Sequence, residues 1–259
     1  MRAAAAAFFL GAGVVAGGRL AAPARAQNAP LELGRKVFED NCAKCHGRSG
    51  KGDGPDAKRL GFFARDFTFG AFKCRCTPTG QPPTDEDLMR TLRVGLPGTP
   101  MVPVTTLTDE QRAAVVAYIK TLSKAFVNGN RAACPAAPVP PRPLADLVNE
   151  GKQLYEKMQC AKCHGVGGRG NGPSAKSLVD DWKRSIKPYD FVSEQNMLKC
   201  GNDDRDLFRT LTTGMTGSPM PSFSDALAFD TAGLGDGARR DLVEHRVWAI
   251  VAYLRSLSK

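Results

Sequence analysis

The six residues CAKCHG stand at 42–47 and again at 160–165, and the sequence around them keeps step over most of the chain. Upstream, LGRKVFEDNCAKCHG runs beside EGKQLYEKMQCAKCHG with one residue inserted. Downstream, GKGDGP ending at Pro55 matches GRGNGP ending at Pro173. DLMRTLRVGLPGTPM (87–101) matches DLFRTLTTGMTGSPM (206–220) without a gap, and AVVAYIKTLS (114–123) matches AIVAYLRSLS (249–258). A chain that repeats itself this way folds as two copies of one unit. The copies are expected at 31–126 and 144–259. They are joined by a proline-rich segment, 127–143, whose prolines neither continue a helix nor pair as a central strand.

Each copy reads as mainly helical. Leu33 to Asn41 and Leu147 to Gln159 carry apolar residues at helical spacing and lead straight into the paired cysteines. Thr108 with Gln111 three residues later is a capping-box signature opening the amphipathic run DEQRAAVVAYIKTLS. Glycine- and proline-rich loops fill the rest. Two short helices and long loops bury too little apolar surface to hold a unit of this size, so something must occupy the middle of each.

Residues 1–26 read as an export signal. Arg2 precedes an Ala- and Gly-rich apolar stretch, and ARA (24–26) fits an A-x-A cleavage site. Arg19 interrupts the stretch and leucine is scarce, which argues against a retained anchor. The mature chain, from about Gln27, carries no other apolar run long enough to span a bilayer. It is expected to be periplasmic or otherwise exported, a setting compatible with eight cysteines. Removing the three arginines of the leader from a formal charge of +10 leaves +7. Basic and acidic residues are interspersed, so nucleic acid is not an expected partner.

Cys42-x-x-Cys45-His46 and Cys160-x-x-Cys163-His164 restrict the chemistry. A zinc ribbon needs two CxxC pairs close enough to share an ion, and a thioredoxin-type pair needs one copy in a βαβ setting. C-x-x-C-H is the attachment motif of haem c. Its two cysteines form thioethers to the vinyl groups, and the histidine that follows gives Nε2 to iron. Two haems c, covalently held, are expected. Of seven methionines, only Met101 and Met220 coincide between the copies, in GTPM and GSPM; Met89, Met158, Met197 and Met215 have no matching methionine and read as core or loop filler.

Helix, haem motif, proline, methionine loop and closing helix together resemble the class-I type cytochromes c, over both copies and so essentially the whole mature chain. The resemblance implies a mainly α fold of two tandem cytochrome c-like domains, each a few helices and loops wrapped around its haem. It implies axial pairs His46/Met101 and His164/Met220, with the Pro55 and Pro173 carbonyls accepting from the other imidazole nitrogen. His245, expected just before the last helix, has no counterpart in the first copy and reads as an ordinary surface or helix-end histidine rather than an alternative ligand.

Cys74, Cys76, Cys134 and Cys200 lie outside the haem motifs and allow three connectivities. A Cys74–Cys76 bond would close a very small ring, so pairings that tie Cys74 or Cys76 to Cys134 or Cys200 are favoured. The rival reading makes one of these a thiolate haem ligand, as in some thiosulfate-oxidising diheme proteins. Two strong axial ligands per haem imply an electron carrier with no catalytic residue. A diheme enzyme of peroxidase or thiosulfate dehydrogenase type, and an electron-carrying subunit of a respiratory or dehydrogenase complex, are the alternatives. Lys44, Lys51, Lys58, Arg59, Lys162, Arg169 and Lys176 around the motifs suit redox partners, a donor and an acceptor, with acidic docking surfaces.

Overall fold

A computed structural model describes residues 24–127, 134–193 and 197–257; most of the expected leader therefore lies outside the described residues. The described chain is helical, and its β-structure is confined to one isolated bridge, Val179 to Ser185. The first half contains α1 (Ala24–Asn41), α2 (Ala43–His46), α3 (Pro55–Leu60), α4 (Asp85–Val94) and α5 (Asp109–Thr121). The second contains α6 (Val148–Lys157), α7 (Ala161–His164), α8 (Asp204–Thr213) and α9 (Asp236–Leu257). None of these helices is long and apolar enough to cross a membrane.

In each half the opening helix packs on the closing one, α1 on α5 and α6 on α9. The repeated glycines explain how closely. A Cβ on Gly34 would collide with the Ala114 carbonyl, and one on Gly151 with the Ala249 carbonyl. Only glycine lets the two backbones meet there. Around the crossings lie two separate cores. Val37, Phe38, Leu88, Leu92, Val115 and Ile119 build one. Tyr155, Leu207, Phe208, Leu211, Trp248 and Ile250 build the other.

The Thr108–Gln111 capping box opens α5 as the sequence indicates. Helices α4 and α8 are additional to the helices expected from the sequence. Thr84 accepts from the Asp87 amide while the Asp87 carboxylate accepts from the Thr84 amide, and Asp203 caps α8 through the Asp206 amide. Leu88 and Leu92, one turn apart, are then buried against α5. His245 lies inside α9 rather than before it, its Nε2 2.8 Å from Glu150 Oε2.

The two halves are bolted together along one seam. Cys74 is disulfide-bonded to Cys200, and Cys76 to Cys134. The second bond fixes the connecting segment to the first half, while Ala137 a few residues on packs against the second core. Arg90 of α4 reaches across to donate to both carboxylate oxygens of Asp206 at 2.8 Å and to the Cys200 carbonyl. Arg75, 2% exposed, donates to the carbonyls of Thr213 and Gly214 at the C-terminus of α8, where the helix dipole favours a cation. The bonds close loops of 126 and 58 residues, each expected to stabilise by about 4–5 kcal/mol. Non-reducing peptide mapping should recover Cys74–Cys200 and Cys76–Cys134, with Cys42, Cys45, Cys160 and Cys163 in neither bond.

Candidate haem sites

Each CxxCH motif forms a single helical turn, α2 or α7, directly after its opening helix. The His46 amide donates to the Cys42 carbonyl and the His164 amide to the Cys160 carbonyl, both at 2.9 Å. The glycine-rich loop that follows folds back beneath the turn. Gly52 donates to the His46 carbonyl and Gly54 to that of Cys45; Gly170 and Gly172 repeat both bonds on His164 and Cys163. The imidazoles are thereby fixed at their backbone end.

Their orientation has a second anchor, and it is not the expected one. His46 Nδ1 lies 2.9 Å from the Arg65 carbonyl and His164 Nδ1 3.1 Å from the Tyr189 carbonyl. Pro55 and Pro173 do not fill this role. Pro55 occupies the first position of α3, a place that suits its fixed φ, and its carbonyl is committed to that helix. Pro173 opens the corresponding turn before the short 3₁₀ segment Ala175–Ser177. Because a carbonyl can only accept, each Nδ1 must carry the proton, and each Nε2 is left with its lone pair. Burial lowers the pKa of both rings, against the opposing backbone hydrogen bond, which favours the neutral form that a metal ligand requires.

The acceptors sit in matching turns, Arg65-Asp66-Phe67 and Tyr189-Asp190-Phe191. Asp66 accepts from the Thr68 amide and Asp190 from the Val192 amide, both at 2.8 Å. Phe67 stacks on His46 with ring centroids 4.3 Å apart, and Phe191 lies 4.9 Å from His164. The sequence signal was the repeated Asp-Phe pair. It was hidden because the first acceptor is 19 residues from its histidine and the second 25.

Met101 and Met220 close two equivalent loops. Leu96 N–H donates to the Met101 carbonyl at 2.7 Å, and Met215 N–H to the Met220 carbonyl at 2.9 Å. Inside them the Thr99 and Ser218 hydroxyls donate to the Leu96 and Met215 carbonyls, at 2.7 Å each. Gly95 and Gly214 start the loops at φ of 70° and 66°, which favour glycine. Met101 packs against the first core and Met220 against the second; so do Met89 and Met158, respectively, while Met197 is exposed.

The donor set suits haem c. Cys42, Cys45, Cys160 and Cys163 are unbridged and partly buried. Burial pushes the Cys42 and Cys160 thiols up to about 11, unlike the depressed values of redox-active thiolates. Each half thus offers two thiols, an imidazole with a bare Nε2, and a thioether on a braced loop. Cys74, Cys76, Cys134 and Cys200, by contrast, are all consumed in disulfides.

The cytochrome c family model matches twice, over residues 31–123 and 148–258. The chain is also similar to a solved chain from the Kuenenia stuttgartiensis reducing HAO-like protein complex Kustc0457/Kustc0458. The two are 40% identical with a TM-score of 0.77, covering 88% of this chain and 96% of that one. No curated protein sequence matches. Two copies of the motif, each on its own helical frame and each matched by the same family model, make this chain a member of the cytochrome c family, whose domains carry covalent haem c for electron transfer.

Proposed function

We propose that the protein is an exported two-haem electron relay. Cys42 and Cys45 anchor one haem c, and Cys160 and Cys163 the other. His46 with Met101 would ligate the iron of the first, and His164 with Met220 that of the second. The observation that carries this reading is the doubling: both halves present the same imidazole, with its proton fixed on Nδ1, and the same hydrogen-bonded methionine loop.

A haem c held by two strong protein ligands would supply one-electron exchange there. The residues of this chain provide the rest. The Arg65 and Tyr189 carbonyls raise the basicity of the histidines and hold their planes. Phe67 and Phe191 pack beside the imidazoles, where they exclude water. The seam formed by Cys74–Cys200, Arg75 and Arg90 keeps the two halves in one relation, which transfer between them requires.

Sequestration of all four remaining cysteines in disulfides supports methionine over thiolate ligation, and so a carrier over a thiosulfate dehydrogenase type of enzyme. Lys44, Lys51, Lys58, Arg59, Lys162, Arg169 and Lys176 are exposed around the two motifs and suit acidic redox partners. The solved neighbour belongs to a protein complex, which favours a role for this chain as the electron-carrying subunit of a larger assembly. Two spectra test the reading. Oxidised protein should show the weak methionine–iron band at the red end of the spectrum, and ferrous protein should leave carbon monoxide unbound. Ready carbon monoxide binding would indicate an open site and an enzyme.

A further inference from the structure

The seam holds a group of cations that have no hydrogen-bond or ion-pair acceptor among the described residues. Lys73 and Lys199 each directly precede one cysteine of the Cys74–Cys200 bond, whose Cα atoms are 5.1 Å apart, so the two lysines enter the seam side by side. Arg65 lies with them, its guanidinium carbon 4.5 Å above the Trp182 ring. Both lysines are half-buried, and among the described residues neither forms a hydrogen bond or an ion pair. Burial, then the charges of Lys199 and Arg65, pushes Lys73 down to about 8, and burial with the Arg65 charge lowers Lys199. The facing acids are Asp180 and Asp181, and Asp180 already accepts from the amides of Trp182 and Arg184. Trp182 adds a buried Nε1–H with no acceptor among the described residues. A buried donor without a partner costs about 1–3 kcal/mol, so an anionic acceptor is what this place lacks.

Its position says which acceptor. Arg65 is the residue whose carbonyl orients His46. Lys199, from the second half, lines a cleft of about 240 Å³ together with Gly95, Leu96 and Pro97 of the Met101 loop. The lysines therefore enter beside the Met101 loop and the segment that orients His46, while Trp182 and the Arg65 guanidinium also approach Gly217 of the Met220 loop, and two of the donors come from the other half of the chain.

We propose that Lys73, Lys199 and the Trp182 Nε1–H form a carboxylate site that receives the propionates of the haem held by Cys42, Cys45 and His46, so that the second half completes the cofactor site of the first. This rests on the haem reading above. The site makes the first haem's potential depend on the second half. It also gives the seam a function beyond holding the halves together.

The test uses the holoprotein in spectroelectrochemical titration. The first couple is identified as the one that Met101→His moves. Lys199→Gln and Lys73→Gln remove positive charge that favours the ferrous state, so each should lower that same couple. At fixed applied potential the ferric-to-ferrous ratio should rise on the order of fivefold. Lys199→Arg should retain the wild-type value, which separates charge from packing, and Trp182→Phe should shift the same couple in the same direction. A shift confined to the couple that Met220→His moves, or no shift in either, overturns the proposal. So does a first couple that depends on phosphate concentration and loses its Lys199→Gln response in phosphate-free buffer, because the site would then hold a free anion. Intact mass reports haem attachment separately, so absence of haem would count against the haem reading and not against this site.

Discussion

Replacing Met220 by histidine should lower one of two reduction potentials by on the order of 0.2 V, a fraction of the roughly 0.8 V range that axial ligands span. The thioether favours the ferrous state relative to imidazole, and the substituted site stays low-spin because a strong ligand is kept. Met101→His should do the same to the other couple. Met215→His is the control within the same loop. The Met215 amide donates to the Met220 carbonyl, a contact that any side chain at 215 preserves. Both potentials should stay close to wild type in that variant. A shift from Met215→His with none from Met220→His would reassign the ligand of the second half.

Asp206→Ala should cost about 3–5 kcal/mol, as expected when one partner of a buried ion pair is removed. The Asp206 side chain is 4% exposed and accepts from Arg90 of the first half at 2.8 Å and from Arg209 at 2.9 Å. Burial raises its carboxyl pKa, and Arg90 is the main group opposing that shift. Truncation leaves two half-buried guanidiniums without their acceptor at the seam. A loss of this size is a large part of the 5–15 kcal/mol that a typical fold has to spare. Denaturant midpoints with haem attached provide the measurement. A change below about 1 kcal/mol would mean that the disulfides and Arg75 hold the seam unaided. Asp206→Asn, which keeps an acceptor, should fall between wild type and alanine.

The duplication, the helical frame of each half and the position of each CxxCH were legible because all three are carried by side-chain patterns. The Thr108–Gln111 cap was legible for the same reason. Helices α4 and α8 were missed although Thr84 and Asp87 form the same kind of box, with aspartate where glutamate or glutamine is usual. The acceptors for the histidines were misplaced because a backbone carbonyl has no side-chain signature. Any residue at position 65 or 189 serves, and the repeated Asp-Phe beside it is the only trace. The seam was the least legible part. Asp87 and Asp206 are equivalent in the repeat, yet Asp87 accepts from the Cys76 and Thr84 amides while Asp206 takes Arg90 from the other half. Repetition gives both copies the same residue, and only the packing of one copy on the other decides which of them faces its neighbour.

Mass spectrometry of the intact, denatured chain tests the central claim most directly, because thioether-bound haem survives unfolding and bound but unattached haem does not. The account predicts a mass increased by two haems on a chain beginning near Gln27. One added haem, or none, would contradict it.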